Sequence, residues 1–149
     1  KETQNLIINK SFELFYSQGY NKTSIPDIMK ETSLSKGAFY HHFKNKKDIG
    51  KKVINGIITN RIFNGFISPL EDSKNKNIPE LLLYIFTERI KNFTEREKEL
   101  GCPANNLINE VGCSESEFRV LLRGLIDNWI EALSNAIKEG IKMIIDNEN

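Results

Sequence analysis

At 149 residues the chain has room for one compact unit, or a small module fused to a larger helical one, and not for two large domains. With 39% hydrophobic and 28% charged residues it has the balance of a globular chain rather than a disordered or fibrous one, and no apolar run reaches the ~20 residues that span a bilayer, so no membrane partner is expected. The net charge of +1 hides an asymmetry: residues 1–60 hold ten lysines against five carboxylates, a net of +5, whereas 61–149 hold eleven lysines and arginines against fifteen carboxylates, a net of −4, so the front suits a polyanionic partner.

Residues 6–18 place Ile7, Ile8, Ser11, Phe12, Leu14 and Phe15 at three- and four-residue spacings, which predicts a helix with one buried face, ended by Gly19. This opening is not the basic stretch, apolar core and cleavage site of an export signal, so a cytoplasmic location is expected. A second helix opens at Ser24, with Asp27 three residues on to complete a capping box, Pro26 in the first turn, and Ile25, Ile28, Met29 and Thr32 inward. A third begins with Ser35 as its cap, and Leu34 is placed to meet Phe39 as a hydrophobic staple that sets the entry angle. Two short helices joined by such a turn make a helix-turn-helix.

Asn45 caps a fourth, longer helix with Ile49, Val53, Ile57 and Phe63 inward, running to a break at Ser68 and Pro69, and 71–77 reads as a loop. Pro79 suits the first turn of a fifth helix whose apolar face is Leu82, Ile85, Phe86, Ile90 and Phe93. After Gly101 a brief helix runs from Pro103 to about Val111. Ser114 and Glu117 then write a capping box for the longest pattern, carrying Phe118, Leu121, Leu122, Leu125, Ile126, Trp129, Leu133, Ile137 and Ile141. No strand alternation stands out, so the fold class is all-α.

On the third helix Lys36, Gly37, Tyr40 and His41 point away from the face made by Ala38, Phe39 and Phe43. In a helix-turn-helix the first turn of the second helix enters the major groove, where the small Gly37 and Ala38 let backbone approach base edges. Lys36 can donate to guanine or phosphate, and Tyr40, His41 and His42 to phosphate. Lys46 and Lys47 join the positive end of helix four, Thr23 and Ser24 stand at a second helix start, and Lys51 and Lys52 read as a solvated face. Adjacent histidines point in different directions with no third ligand nearby, and Cys102 and Cys113 lack zinc spacing or the numbers of a disulfide framework, so neither metal nor cofactor is expected. The absence of a nucleophile–base constellation or a Gly-rich phosphate loop argues against an enzyme.

The run over 19–28, Gly-Tyr-Asn-Lys-Thr-Ser-Ile-Pro-Asp-Ile, followed over 35–46 by Ser-Lys-Gly-Ala-Phe-Tyr-His-His-Phe-Lys-Asn-Lys, resembles the DNA-binding domain of the tetracycline-repressor (TetR) family, and the likeness covers about residues 5–55. The resemblance implies a three-helix DNA-binding head, 1–47, on a helical regulatory body, 48–149, that binds a small-molecule inducer and pairs two subunits into a homodimer. It implies a double-stranded, palindromic operator, with Lys36, Gly37, Tyr40 and His41 in the groove and Thr23, Ser24, His42 and Lys46 on phosphates. Two departures stand out. Ser33 occupies a turn position often filled by Gly in the family, where a left-handed backbone costs a non-Gly residue ~1–2 kcal/mol, so a differently shaped turn is expected. Family members also continue for two more helices that build the dimer interface, so the C-terminal dimerisation helices are expected to be missing from this stretch.

By the same resemblance a ligand sits among helices four to seven, in an apolar pocket for which Phe63, Phe66, Tyr84, Phe86, Cys102, Asn105, Asn106 and Trp129 are the candidates. The segment 101–107 is similar to one branch of the family in which the cysteine sometimes faces the pocket, and a helix start beside Cys102 would favour the thiolate of a redox or electrophile sensor. A ligand that prefers wrongly spaced heads would release the operator, making the chain a repressor; a helix-turn-helix or protein-interaction module without a ligand response stays open beside it.

Overall fold

The computed structural model describes residues 1–71, 73 and 76–147, the side chain of Asn147 excepted. Among these every regular element is helical. Helices α1 (Glu2–Gln18), α2 (Ile25–Thr32) and α3 (Lys36–His42) make the front, and α4 runs over 46–71. The remainder is α5 (Ile78–Lys91), α6 (Glu95–Leu100), α7 (Pro103–Val111) and α8 (Ser116–Asn147).

Local chemistry sets most of the front boundaries. Gly19 stops α1 in a left-handed backbone, φ 95°, that a side chain would strain. Ser24 accepts from the amide of Asp27 while the Asp27 carboxylate accepts from the amide of Ser24, a complete capping box. Ser35 caps α3 through the amide of Ala38 at 3.2 Å, and Asn45 caps α4 through the amide of Asp48 at 2.8 Å. Leu34 packs on the cluster that holds the fully buried Phe39, which fixes how α3 enters.

The α2–α3 turn keeps the left-handed shape despite its serine. Ser33 has φ 53° and ψ 26°, so the expectation of a different turn is overturned: the anchored Thr32, and Leu34 on the core, hold the geometry that Ser33 must accept. The strain is removable. Ser33→Gly is expected to raise stability by about 1 kcal/mol with α3 unmoved, read as a higher urea midpoint at constant m-value; a lower midpoint would mean the serine is not strained.

Helix α4 does not break at Ser68 and Pro69. It passes through two π-helical turns, Ile54–Ile58 and Phe63–Ile67, before resuming as Ser68–Glu71. Each π turn admits extra residues per turn and rotates the buried face. Ile54, Ile58, Ile62 and Ile67 therefore face inward, while Phe63, expected inside, is 41% exposed. Pro69 survives because the ladder restarts at Ser68, so it occupies a first turn where its missing amide removes little. Of the loop expected over 71–77, Glu71 closes α4, and residues 72, 74 and 75 lie outside the described residues.

Two further boundaries differ from expectation. Thr94 and Glu97 form a capping box that starts α6, a helix the pattern reading did not include. At α8 the expected Ser114–Glu117 box is absent: the carbonyl of Glu115 accepts the first bond, from Arg119 at 3.0 Å, and Glu117 reaches Lys51 and Lys47 instead. Two lysines across the fold outcompete the local amide for that carboxylate.

One core runs without a break from Ile7 and Phe15 of α1, through Ile28, Phe39 and Ile49, to Val111 of α7 and Phe118, Leu122 and Leu125 of α8. A smaller cluster of Leu70, Ile78, Ile85 and Ala136 joins α4, α5 and α8, and the partly buried Phe66 and Trp129 pack on both. Each fully buried large apolar side chain contributes roughly 1.5–3 kcal/mol. Other apolar residues face outward: Leu83, Tyr84 and Ile90 on α5, and Val120, Ile130 and Ile141 on α8. No helix among the described residues is long and apolar enough to cross a membrane.

Candidate nucleic-acid interface and body cavity

The recognition face expected on α3 lies at the surface. Lys36, Gly37, Tyr40 and His41 are all exposed, Tyr40 at 44%, and a methyl added at Gly37 would find no atom within 4 Å. Beneath them Phe39 is fully buried and Phe43 nearly so, so the face stands on a packed floor. The ring of Tyr40 meets that of Phe39 edge-on at 5.4 Å, and His41 and His42 meet edge-on at 5.1 Å.

The residues expected on phosphates divide. Ser24 is exposed, but its hydroxyl already donates to Asp27 at 2.5 Å, and His42 is half-buried. Thr23 is corrected outright: it is 1% exposed, its hydroxyl donates to the carbonyl of Gly19 and accepts from Gln18, and its amide donates to Tyr20. No donor of Thr23 is left for a phosphate, because the residue closes the α1–α2 loop from inside. Lys46 is half committed. Its Nζ donates to the carbonyls of Tyr20 at 2.8 Å and Thr23 at 3.0 Å and lies 4.3 Å above the Tyr20 ring. Burial pulls this ammonium below the usual lysine value, against the opposite pull of Glu110 and Glu115. One of its three donors stays available to an anion.

The same region joins head to body. Glu110 of α7 accepts from the amides of Tyr20 and Asn21, both at 2.8 Å, so a carboxylate ninety residues away holds the α1–α2 loop. Phe118 fills the space over Gly50, where any side chain would overlap its ring, and meets Tyr20 edge-on at 5.1 Å. Burial, with Glu115 adding to it, pushes the Tyr20 phenol up to about 12. Lys47, expected to face an anion, pairs with Glu115 at 2.9 Å, and Lys51, expected to be solvated, pairs with Glu117. The sequence reading missed Glu110 and Glu115 and gave Glu117 a local capping role, because carboxylates on a mixed helix look like solvated surface or caps until the partner element is in place.

This junction is expected to weaken in acid. The hydrogen bond from Lys51 is the largest influence on the Glu117 carboxyl and, helped by the charges of Lys51 and Lys47, holds it below the ordinary value of 4.5 against the upward pull of burial, which is second in size. A depressed folded value means that its contribution is whole above about 4.5 and is lost as the pH falls through the lower folded value. Unfolding followed from pH 6 to 3 is expected to show a shallower loss of stability in Glu117→Gln than in the parent chain. Identical slopes would show that the pair contributes nothing.

In the body, a cavity of about 80 Å³ lies between α4, α5 and the start of α7. Phe66 and Cys102 line it, as do Phe93, expected on the apolar face of the fifth helix, and Arg61, Arg89 and Glu97, which the pattern reading did not single out. The other candidates lie elsewhere. Tyr84 is 64% exposed, Asn105 is exposed, and Phe63 borders a separate open groove against α8. Phe86 is 45% exposed, its ring 5.8 Å from that of Phe66. Trp129 packs 5.1 Å from Phe66 between the two apolar clusters, and Asn106 donates to the carbonyl of Leu100, tying α6 to α7. Cys102 and Cys113 are both free and exposed, and no group of three metal-ligating side chains comes together among the described residues.

Residues 7–52 match the family model for "Bacterial regulatory proteins, tetR family". An uncharacterised helix-turn-helix transcriptional regulator of Lactococcus lactis subsp. lactis is 31% identical over 131 residues, covering 86% of this chain and 64% of its own length. The chain therefore spans under two thirds of that relative. The crystal structure of regulatory protein TetR from Rhodobacter sphaeroides shares the fold with a TM-score of 0.77 at 22% identity, over 93% of this chain and 72% of that one. The crystal structure of a transcriptional regulator (TerR/AcrR family) from Aquifex aeolicus VF5 is 32% identical with a TM-score of 0.62, over 96% of this chain and 79% of that one. The matched head, with its exposed α3 face, and the likeness carried through the helical body place this chain in the tetR family of bacterial regulatory proteins.

Proposed function

We propose that the chain is the DNA-binding and sensing part of a transcriptional regulator that grips double-stranded operator DNA through α3 and lets go when a small molecule enters the body. The observation that carries this reading is the open first turn of α3: Lys36 and Gly37 stand exposed on a floor of buried Phe39 and Phe43, so backbone and side chain can enter a groove together. Lys36, Gly37, Tyr40 and His41 read bases. Ser24, His42 and the remaining donor of Lys46 position phosphates. Residues 1–47 act as the head and 48–149 as the regulatory body.

Two copies work together as a homodimer on a palindromic operator in the cytoplasm, with half-sites about 34 Å apart. Exposed Leu83, Ile90, Val120, Ile130 and Ile141 supply apolar surface for that pairing. Repression follows from operator occupancy. Release follows when a ligand prefers the wrongly spaced heads, by no more than its difference in affinity for the two states.

A gel-shift titration with the DNA flanking the chain's own gene, at two salt concentrations and against random DNA, tests the reading. Specific DNA is expected to bind roughly a thousandfold or more tightly than random DNA, with a slope in log salt that falls by about one when Lys46 is replaced. Equal affinity for both DNAs would overturn it.

A further inference from the structure

We propose that the body cavity takes a small organic anion, a short carboxylate with an apolar tail, anchored on Arg89. This rests on the reading that the body binds the releasing ligand, and it names that ligand's chemical class.

The charges around the cavity do not balance. Arg61 is paired with Glu97, so these two neutralise each other. Arg89 has no carboxylate within ion-pair distance among the described residues, and its Nε is buried and donates to nothing. A guanidinium cannot shed its proton to escape that position. Arg89 as a whole is half-buried, but an N–H of a charged group that is itself buried and lacks an acceptor is costly, so the missing acceptor at Nε points to a ligand.

The arginine is held ready. Its guanidinium carbon lies 5.5 Å above the Phe66 ring, and its stem lies against Gly65 in the second π turn of α4, where a methyl would stand 2.9 Å from Nε. Gly65 thus makes the space that the side chain occupies. A second feature aims at the same cavity. The nine-residue α7 begins there at Pro103, and Cys102 at its cap offers no side-chain hydrogen bond, so the positive end of that helix is open to a negative group.

Size and wall chemistry narrow the class. A volume of about 80 Å³ equals roughly three waters' share of liquid, enough for a carboxylate head and a short tail. Ile58, Ile62, Phe66 and Phe93 supply apolar walls for the tail. A phosphate would bring up to about two negative charges to one unpaired cation.

The test uses Trp129, the single tryptophan, whose ring lies 5.1 Å from the cavity-lining Phe66. The chain is titrated with straight-chain carboxylates from acetate to hexanoate, with the matching neutral amides and with inorganic phosphate, and tryptophan fluorescence is followed. At least one acid is expected to saturate, with its amide at least about tenfold weaker and phosphate inert. Arg89→Gln is expected to weaken the acid roughly tenfold to a hundredfold. Gly65→Ala, which displaces the guanidinium while keeping the charge, is expected to weaken it too, so a poorly folding Arg89 variant does not remove the test. The proposal is overturned if no acid binds, if the amide binds as well as its acid, if phosphate alone binds, or if both variants bind like the parent. Operator affinity measured alongside separates the two ideas. An acid that binds through Arg89 without changing operator affinity upholds the site and sinks ligand-driven release; operator release by a neutral compound and by no acid does the reverse.

Discussion

Phe118→Ala is expected to destabilise the chain by roughly 3–5 kcal/mol, a large part of the ~5–15 kcal/mol that holds a typical domain together. Phe118 is fully buried at the start of α8 and is the pin between body and head: its ring fills the space left by Gly50 on α4 and meets Tyr20 edge-on, with the Lys47–Glu115 and Lys51–Glu117 pairs beside it. Removing the ring leaves a cavity that α4 cannot close, because α1 also packs on it. A urea denaturation series measures the loss. The decisive comparison is a double-mutant cycle with Gly50→Ala. Alone, that substitution overpacks the site at a cost of about 1–3 kcal/mol; in the Phe118→Ala background its methyl enters the vacated space, so the pair should cost less than the sum by about 1 kcal/mol or more. Additive costs would mean that the two positions do not share a contact.

At Gly37, fold and function are expected to respond in opposite directions. A side chain there meets nothing within 4 Å, and an alanine in place of glycine favours a helix by up to about 1 kcal/mol, so Gly37→Ala and Gly37→Leu should be no less stable than the parent. If the first turn of α3 enters a groove, the leucine stands where a base edge or sugar must come. Specific DNA binding is then expected to fall roughly a hundredfold, about 2.8 kcal/mol, with a smaller loss on random DNA. A gel shift with thermal melting on the same samples checks both. Undiminished specific binding by a well-folded Gly37→Leu would move the recognition surface away from this turn.

Much of the front was legible as sequence because its determinants are local. The Ser24–Asp27 box, the Ser35 and Asn45 caps and the Gly19 stop each involve hydrogen bonds or backbone angles within a few residues, and such contacts are written in spacing alone. The Thr94–Glu97 box was written in the same way, so α6 was readable in principle. Where one local signal misled, a competing contact had won, near in the chain or far from it. Glu117 left Ser114 for Lys51 and Lys47, Thr23 turned inward to Gly19, and Ser33 accepted a left-handed backbone because its neighbours on either side were anchored.

From the sequence by itself came an all-helical chain, a helix-turn-helix with a basic, aromatic outer face, and the TetR-family likeness, since periodicity, caps and an ordered motif are all short-range information. Only the tertiary structure decided that two π turns rotate the inner face of α4, that Glu110 of α7 holds the α1–α2 loop, and that the Arg89 Nε finds no acceptor among the described residues beside the open end of α7. These depend on which helices meet and at what rotation. The free energy of a charge or a ring is set by what surrounds it, and residues far apart in the chain supply those surroundings only once the core has closed.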